Sequence, residues 1–496
     1  MSPRPVFLTG LLLAAGLLAA RPVPAQDAGA SWEALQVRAE ALLDPVERET
    51  AIDLAFRVER LDGTVLIDHE GERRLALASN LKLFTSAAAL FALGPDYRWT
   101  TRVELAGDRL HVIGGGDPSL RRLPDGDATA ELLDAVAAEL DARGKTRLEA
   151  LVVDGRAFAV EGPHPLWPQD QLQAEYAAPL AALAVEGGLL EVAWAGSRAS
   201  LRPAVGEALK LRVLDGGASS LSAWWAKDRE IRVRRPSSGK AQEVRFAQRD
   251  PLAIAGWALA DGLRRRGIRI DAVEFRRPGA AAEIQPTAAQ PVEAGAAPAA
   301  ELLLDWPSRW TLADAVMVCN KDSDNFVAET LLLTLGMERE GVGSWENGAR
   351  VAREVLAEKG LEEPVVDLAD GSGLARDWPR VVDASTAAET CALLRRMAAA
   401  DAAGRVFFDS LPIGGVDGSL AARFREAGFQ PQRVHAKTGF ILGASSLSGY
   451  LLVGEDQVLV FSFLVNFDRA RNKDTNNRRF RELRKELLAM VLEEGA

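Results

Sequence analysis

Ser79 and Lys82 stand three residues apart at what reads as the start of a helix running to Leu93, where Gly94-Pro95 ends it. Residues at that spacing face the same side of a helix, so an amine can lie beside a hydroxyl. A serine hydroxyl is a weak nucleophile until a base takes its proton. Lysine serves as that base when burial and a neighbouring cation lower its pKa. A helix start also favours developing negative charge. For Ser79 alone, a simple helix cap is the competing reading. Ser237 and Lys240 repeat the spacing in a predicted loop, where it is assigned no role.

Two further stretches add polar groups. Ser323-Asp324-Asn325 opens a predicted helix over 326–335. There Ser323 can relay a proton and Asn325 can hold an amide, although all three are also ordinary cap residues. Lys437-Thr438-Gly439 begins a predicted strand. Lys437 provides a fixed positive charge, Thr438 a hydroxyl donor, and Gly439 has no side chain to block a ligand. The backbone N–H of Phe440 can then pair with that of Ser79 as an oxyanion hole. The alternative is a strand-entry turn.

The elements that must position these groups are legible in outline. Residues 32–44 read as an amphipathic helix, 51–69 as strand, turn and strand, and 129–143 and 251–266 as helices. Residues 185–248 alternate and are turn-rich, which predicts a β-rich subdomain. The Ala/Pro-rich run 278–300 cannot bury a core and reads as a linker. Residues 475–494 predict a charged amphipathic helix. The resulting division is a leader at 1–25, a first half of the site-bearing domain at 26–100, inserted domains at 101–277, the linker, and a second half at 301–496.

With 496 residues, the chain is long enough for two or three domains. Arg4, an apolar run over 6–20 and Val23-Pro24-Ala25 predict an export signal cleaved near Ala25. Cleavage would change the formal charge from −11 to −13 by removing Arg4 and Arg21, and so acid a chain is no candidate for nucleic acid. Four scattered histidines offer no ligand spacing, so neither a metal nor a cofactor is expected. Cys319 and Cys391 sit in apolar helical patterns and are expected as buried free thiols, with pairing the alternative.

Ser-x-x-Lys, Ser-Asp-Asn and Lys-Thr-Gly, in this order, are the signature of penicillin-binding proteins and class A β-lactamases. From Ser79 to Ser323 is 244 positions, which leaves room for a large insertion. The chain resembles the class C low-molecular-mass penicillin-binding proteins, of the penicillin-binding protein 4 type, which carry extra domains there. The stretch from Gly114 to Leu120, the stretch from Ala174 to Leu183, Asp370-Gly371-Ser372-Gly373-Leu374-Ala375-Arg376, and LPIGGVDGSL over 411–420 are similar to segments of that family.

The resemblance implies an α/β multidomain fold: a serine β-lactamase/transpeptidase-like domain, an antiparallel sheet with helices, interrupted by a β-rich insert. It implies a periplasmic or otherwise exported D-alanyl-D-alanine carboxypeptidase/endopeptidase that acts on peptidoglycan stem peptides and is inhibited by β-lactams. It is compatible with peripheral membrane association or a homodimer. Ser79 would be the acylated nucleophile, Lys82 its base, Ser323 the relay and Asn325 a substrate contact. Lys437 and Thr438 would bind the terminal carboxylate. Ser372 and Arg376 would line the cleft, where an arginine suits a stem-peptide carboxylate. The family usually has threonine where this chain has Phe440, so a hydroxyl contact is lost. A serine β-lactamase, a non-catalytic peptidoglycan-binding protein and a Ser-His-Asp hydrolase using His435 stand as rival readings.

Overall fold

A computed structural model describes residues 28–494 apart from 51, 228, 239, 280–299, 362–364, 378–379, 431, 455–456 and 469–474. The leader expected at 1–25 and nearly all of the linker expected at 278–300 lie outside the described residues. The chain folds as two units, one of residues 1–95, 316–324 and 352–496, the other of 96–315 and 325–351.

The first unit is built on a five-stranded antiparallel sheet. Val434–Ile441 forms one edge, followed by Ala444–Val453, Gln457–Phe467, Ile52–Arg60 and Val65–His69. The N-terminal hairpin therefore pairs with the last strand of the chain, Ile52 opposite Phe467. Closing so long a loop costs chain entropy that grows only slowly with length. Burial offsets it: Phe56, Phe461 and Phe463 are at most 1% exposed, each contributing about 1.5–3 kcal/mol. One apolar cluster joins this sheet to the helices Ala28–Thr50 and Thr475–Glu494 through Leu35, Leu43, Phe480 and Leu487. The helix Leu81–Leu93 is buried on all sides over its first ten residues, as its run of Leu, Phe and Ala requires. Cys319 and Cys391 are buried and are not joined in a disulfide.

The second unit contains a mixed five-stranded sheet in the order Arg269–Arg276, Arg147–Asp154, Arg109–Ile113, Thr100–Ala106, Glu301–Pro307. Its helices Ala128–Ala142 and Pro251–Arg265 start where Asp127 and Asp250 accept from the N–H groups of Ala130 and Ala253. The alternating segment 185–248 holds two three-stranded sheets.

Candidate active site

Ser79 lies in a tight turn, Ala78–Asn80, that leads directly into the helix Leu81–Leu93. The turn is fixed before the helix begins. Leu75–Ala76 pairs with Ala384–Ser385, and Leu77 N–H donates to the Asp383 carbonyl at 2.9 Å. Ala78 adopts the left-handed region at φ 49°, a strained conformation for a residue with a Cβ. Lys82 is fully buried. Its Nζ donates to Ser79 Oγ at 3.1 Å and to the Ser372 carbonyl at 2.9 Å. A second partner 290 residues away thus aims the amine at the hydroxyl.

That second partner sits on a loop organised by two carboxylates. Asp370 accepts four backbone N–H groups, from Ser372 (2.9 Å), Gly373 (2.6 Å), Leu374 (3.1 Å) and Ala375 (2.8 Å). Asp383 accepts from Ala369 and Asp370 at 2.7 and 3.2 Å. Gly373, at φ +80°, presses so closely on Ala78 that an added Cβ would lie 2.0 Å from its carbonyl oxygen. Only glycine fits there. Asp370→Ala would leave buried N–H groups without their acceptor, so a loss of roughly 3–5 kcal/mol is expected in urea unfolding. An unchanged midpoint would contradict this role.

The edge strand Val434–Ile441 supplies the opposite wall. A Cβ on Gly439 would meet Ser446 Oγ at 2.1 Å, the Leu77 carbonyl at 2.8 Å and Ser79 N at 3.0 Å. The strand therefore packs closely on the turn that carries Ser79, and Ser446 Oγ donates to the Leu77 carbonyl at 2.6 Å. Buried Asn80 completes the link, since its amide reaches the Lys437 carbonyl at 2.8 Å and Ser448 Oγ at 2.7 Å. Lys437 Nζ donates to Ser323 Oγ at 2.8 Å and to the Thr438 carbonyl at 3.0 Å. Burial, and after it the charge of Lys82, push the Lys437 ammonium well below the ordinary lysine range. Ser323 is itself held left-handed at φ 59°, the kind of strain that functional turns store.

The structure thus brings Ser79, Lys82, Ser372, Ser323, Lys437 and Gly439 together in one unit. Thr438 Oγ1 lies 2.8 Å from Ser419 Oγ. The ring of Phe440 is 52% exposed. Of Ser372 it is the carbonyl, rather than the hydroxyl, that meets Lys82. Arg376 closes the same loop and is partly exposed. Asn325 belongs to the second unit, where it starts the helix Asn325–Glu340 and donates to the Tyr176 carbonyl at 2.8 Å. His435 stacks on Phe408 with ring centroids 4.6 Å apart, and burial pushes its pKa down to about 4. It is a core aromatic, whereas the amine beside Ser79 Oγ is that of Lys82. Asp370, Asp383, Asn80 and Ser419 drew no role from the sequence. Asn80 lies inside the first motif, and Asp370 and Ser419 lie inside the family-like segments 370–376 and 411–420; Asp370 organises its own loop, whereas the partners of Asn80 and Ser419 lie on strands elsewhere in the chain.

A buried amine on a serine hydroxyl, under an antiparallel sheet flanked by helices, defines a serine acyl-enzyme hydrolase. The chain belongs to the D-Ala-D-Ala carboxypeptidase 3 (S13) family, whose model matches residues 39–483. It is 31% identical over 490 residues to the D-alanyl-D-alanine carboxypeptidase of Actinomadura sp. strain R39, covering 92% of this chain and 85% of that one. Penicillin-binding protein 4 from Haemophilus influenzae shares the fold at a TM-score of 0.70 and 19% identity, over 90% of this chain and 99% of that one. A complex of that protein with a β-lactam matches at 0.65 and 20% identity, over the same shares of the two chains. The protein is accordingly a serine-type peptidase of the penicillin-binding protein 4 type.

Proposed function

We propose that the chain removes the terminal D-alanine from peptidoglycan stem peptides, and cleaves their cross-links, through an acyl-enzyme on Ser79. The observation that carries this reading is the fully buried Lys82 amine 3.1 Å from Ser79 Oγ. Ser79 Oγ attacks the carbonyl carbon of the penultimate D-alanine while Lys82 Nζ takes its proton. The N–H groups of Ser79 and Phe440 hold the oxyanion. Ser323, positioned by its hydrogen bond from Lys437, passes its proton to the leaving nitrogen and regains one from the Lys82 ammonium, which is left neutral for the next step. The C–N bond breaks and D-alanine, or the amine of a cross-link, departs. Water then attacks the ester, its proton returning through Lys82, and Ser79 is restored.

Lys437 and Thr438 receive the terminal carboxylate. Asn325, by its place in the second motif, is assigned the contact to the substrate amide. Ser372 and Arg376 face the stem side chain. Backbone bonds from 412–414 cover the edge strand at Val434 and Ala436, and among the described residues the ladder on that side ends there. The strand from Lys437 onward is suited to add an extended peptide. A β-lactam acylates the same serine and leaves slowly. The protein works outside the cytoplasm, residues 1–25 serving as its export leader; among the described residues no helix is long and apolar enough to cross a membrane.

Intact mass with peptide mapping after benzylpenicillin treatment tests the reading. A long-lived adduct on Ser79 together with D-alanine release from a stem peptide supports it, a short-lived adduct marks a β-lactamase, and no adduct sinks it. The pH profile is a second check. Burial and the charge of Lys82 displace the Lys437 ammonium downward from 10.5, so the cation that receives the terminal carboxylate is lost below the usual lysine range as pH rises. kcat/KM for a stem peptide with a free carboxylate should therefore fall with rising pH on a limb centred below 10.5. A limb at the free-lysine value would contradict it.

A further inference from the structure

We propose that Ser419 is a specificity-determining residue, whose hydroxyl joins that of Thr438 to select substrates ending in a free carboxylate. The inference rests on the function proposed above. The two oxygens lie 2.8 Å apart. Thr438 sits on the edge strand beside Gly439, whose backbone abuts Ser79 N. The next residue on the same strand face is Phe440, which has no hydroxyl. Ser419 is thus the hydroxyl that stands with Thr438 at this wall.

Its position is fixed from both sides. Asp417 accepts from Ile413 N–H at 2.8 Å and from Lys321 Nζ at 2.7 Å, and Lys321 Nζ also donates to the Leu411 carbonyl at 2.6 Å. Gly418, at φ +52°, is wedged so that a Cβ would fall 2.7 Å from the Lys321 carbonyl oxygen. Leu420, on the far side, is fully buried. The turn Gly418–Leu420 is therefore held at Asp417 and at Leu420, and the Ser419 hydroxyl points at Thr438.

The chemistry follows from the proton count. Each hydroxyl has one proton. In the free enzyme one of the two joins the oxygens, leaving the other to point outward. A carboxylate has acceptors only, so both protons can turn to it in charge-assisted bonds. A carboxamide brings its own N–H donors and forgoes that gain. Ser419 thereby rewards the anionic end without placing a further cation in a site that already holds two buried lysines.

The test compares D-alanine release from a diacyl-D-Ala-D-Ala peptide with alaninamide release from its C-terminal carboxamide. Wild type should favour the carboxylate. Ser419→Ala should lower kcat/KM for the carboxylate substrate by about 10–100-fold and for the carboxamide by less than about threefold, so that the ratio collapses; Ser419→Thr should restore it. A purely structural role would lower both substrates by one factor, and that result, or an unchanged ratio, overturns the inference. Should the alanine variant lose its fold by circular dichroism, Ser419→Cys takes its place with the same expected collapse. A wild type that forms the Ser79 adduct but shows no carboxylate preference defeats this inference alone. A wild type with neither adduct nor D-alanine release defeats the proposed function and this inference with it.

Discussion

Ser79→Ala is expected to abolish the covalent adduct with benzylpenicillin and to lower D-alanine release by roughly 10⁶-fold, the scale seen when a serine nucleophile is removed from an acyl-enzyme mechanism. The fold should survive. Ser79 is half-buried, and the turn that carries it is held by other residues: Leu77 on Asp383, Ser446 on Leu77 and Asn80 on Ser448. A melting temperature close to wild type, with labelling gone, is the expected pair of results. If labelling persisted at the same stoichiometry, the nucleophile would lie elsewhere.

Lys82→Met is expected to slow acylation by about 10²–10⁴-fold, the range for losing a positioned general base. Methionine keeps most of the buried volume, so little of the effect should come from packing. The variant also has an electrostatic signature. The charge of Lys82 is the second cause that holds Lys437 below its ordinary range. Removing it should move Lys437 upward, so that the alkaline loss of activity on a carboxylate-bearing substrate falls at higher pH than in wild type. Stopped-flow rates with a chromogenic β-lactam across pH would show both changes. A slower rate with an unmoved pH profile would mean that the two lysines are not coupled.

Much of this site is written in short stretches of chain. The three-residue spacing sets Lys82, in the first turn of its helix, beside Ser79 in the turn that leads into it, Gly94-Pro95 stops that helix, and Lys437-Thr438-Gly439 lies in a strand because its neighbours are apolar and β-branched or aromatic. The β-rich character of 185–248 shows in its alternation, and the helices near 129–143 and 251–266 in their period. These are local preferences, set by backbone geometry and side-chain period, and they need no knowledge of the rest of the chain.

The connections among these pieces have no local signal. The bonds from Asp370 to the next few N–H groups are local, but nothing near them announces that the Ser372 carbonyl meets Lys82, 290 residues away. Nothing near Ser419 announces Thr438, and nothing in residues 52–60 announces a partner strand at 457–467. Which unit claims 316–324, and with it Ser323, is likewise decided by packing. The residue types and spacing in the chain specify the chemical groups and the elements that carry them. Their distances and charge states arise only on folding, because a hydrogen bond between residues hundreds of positions apart depends on how buried surfaces close on one another.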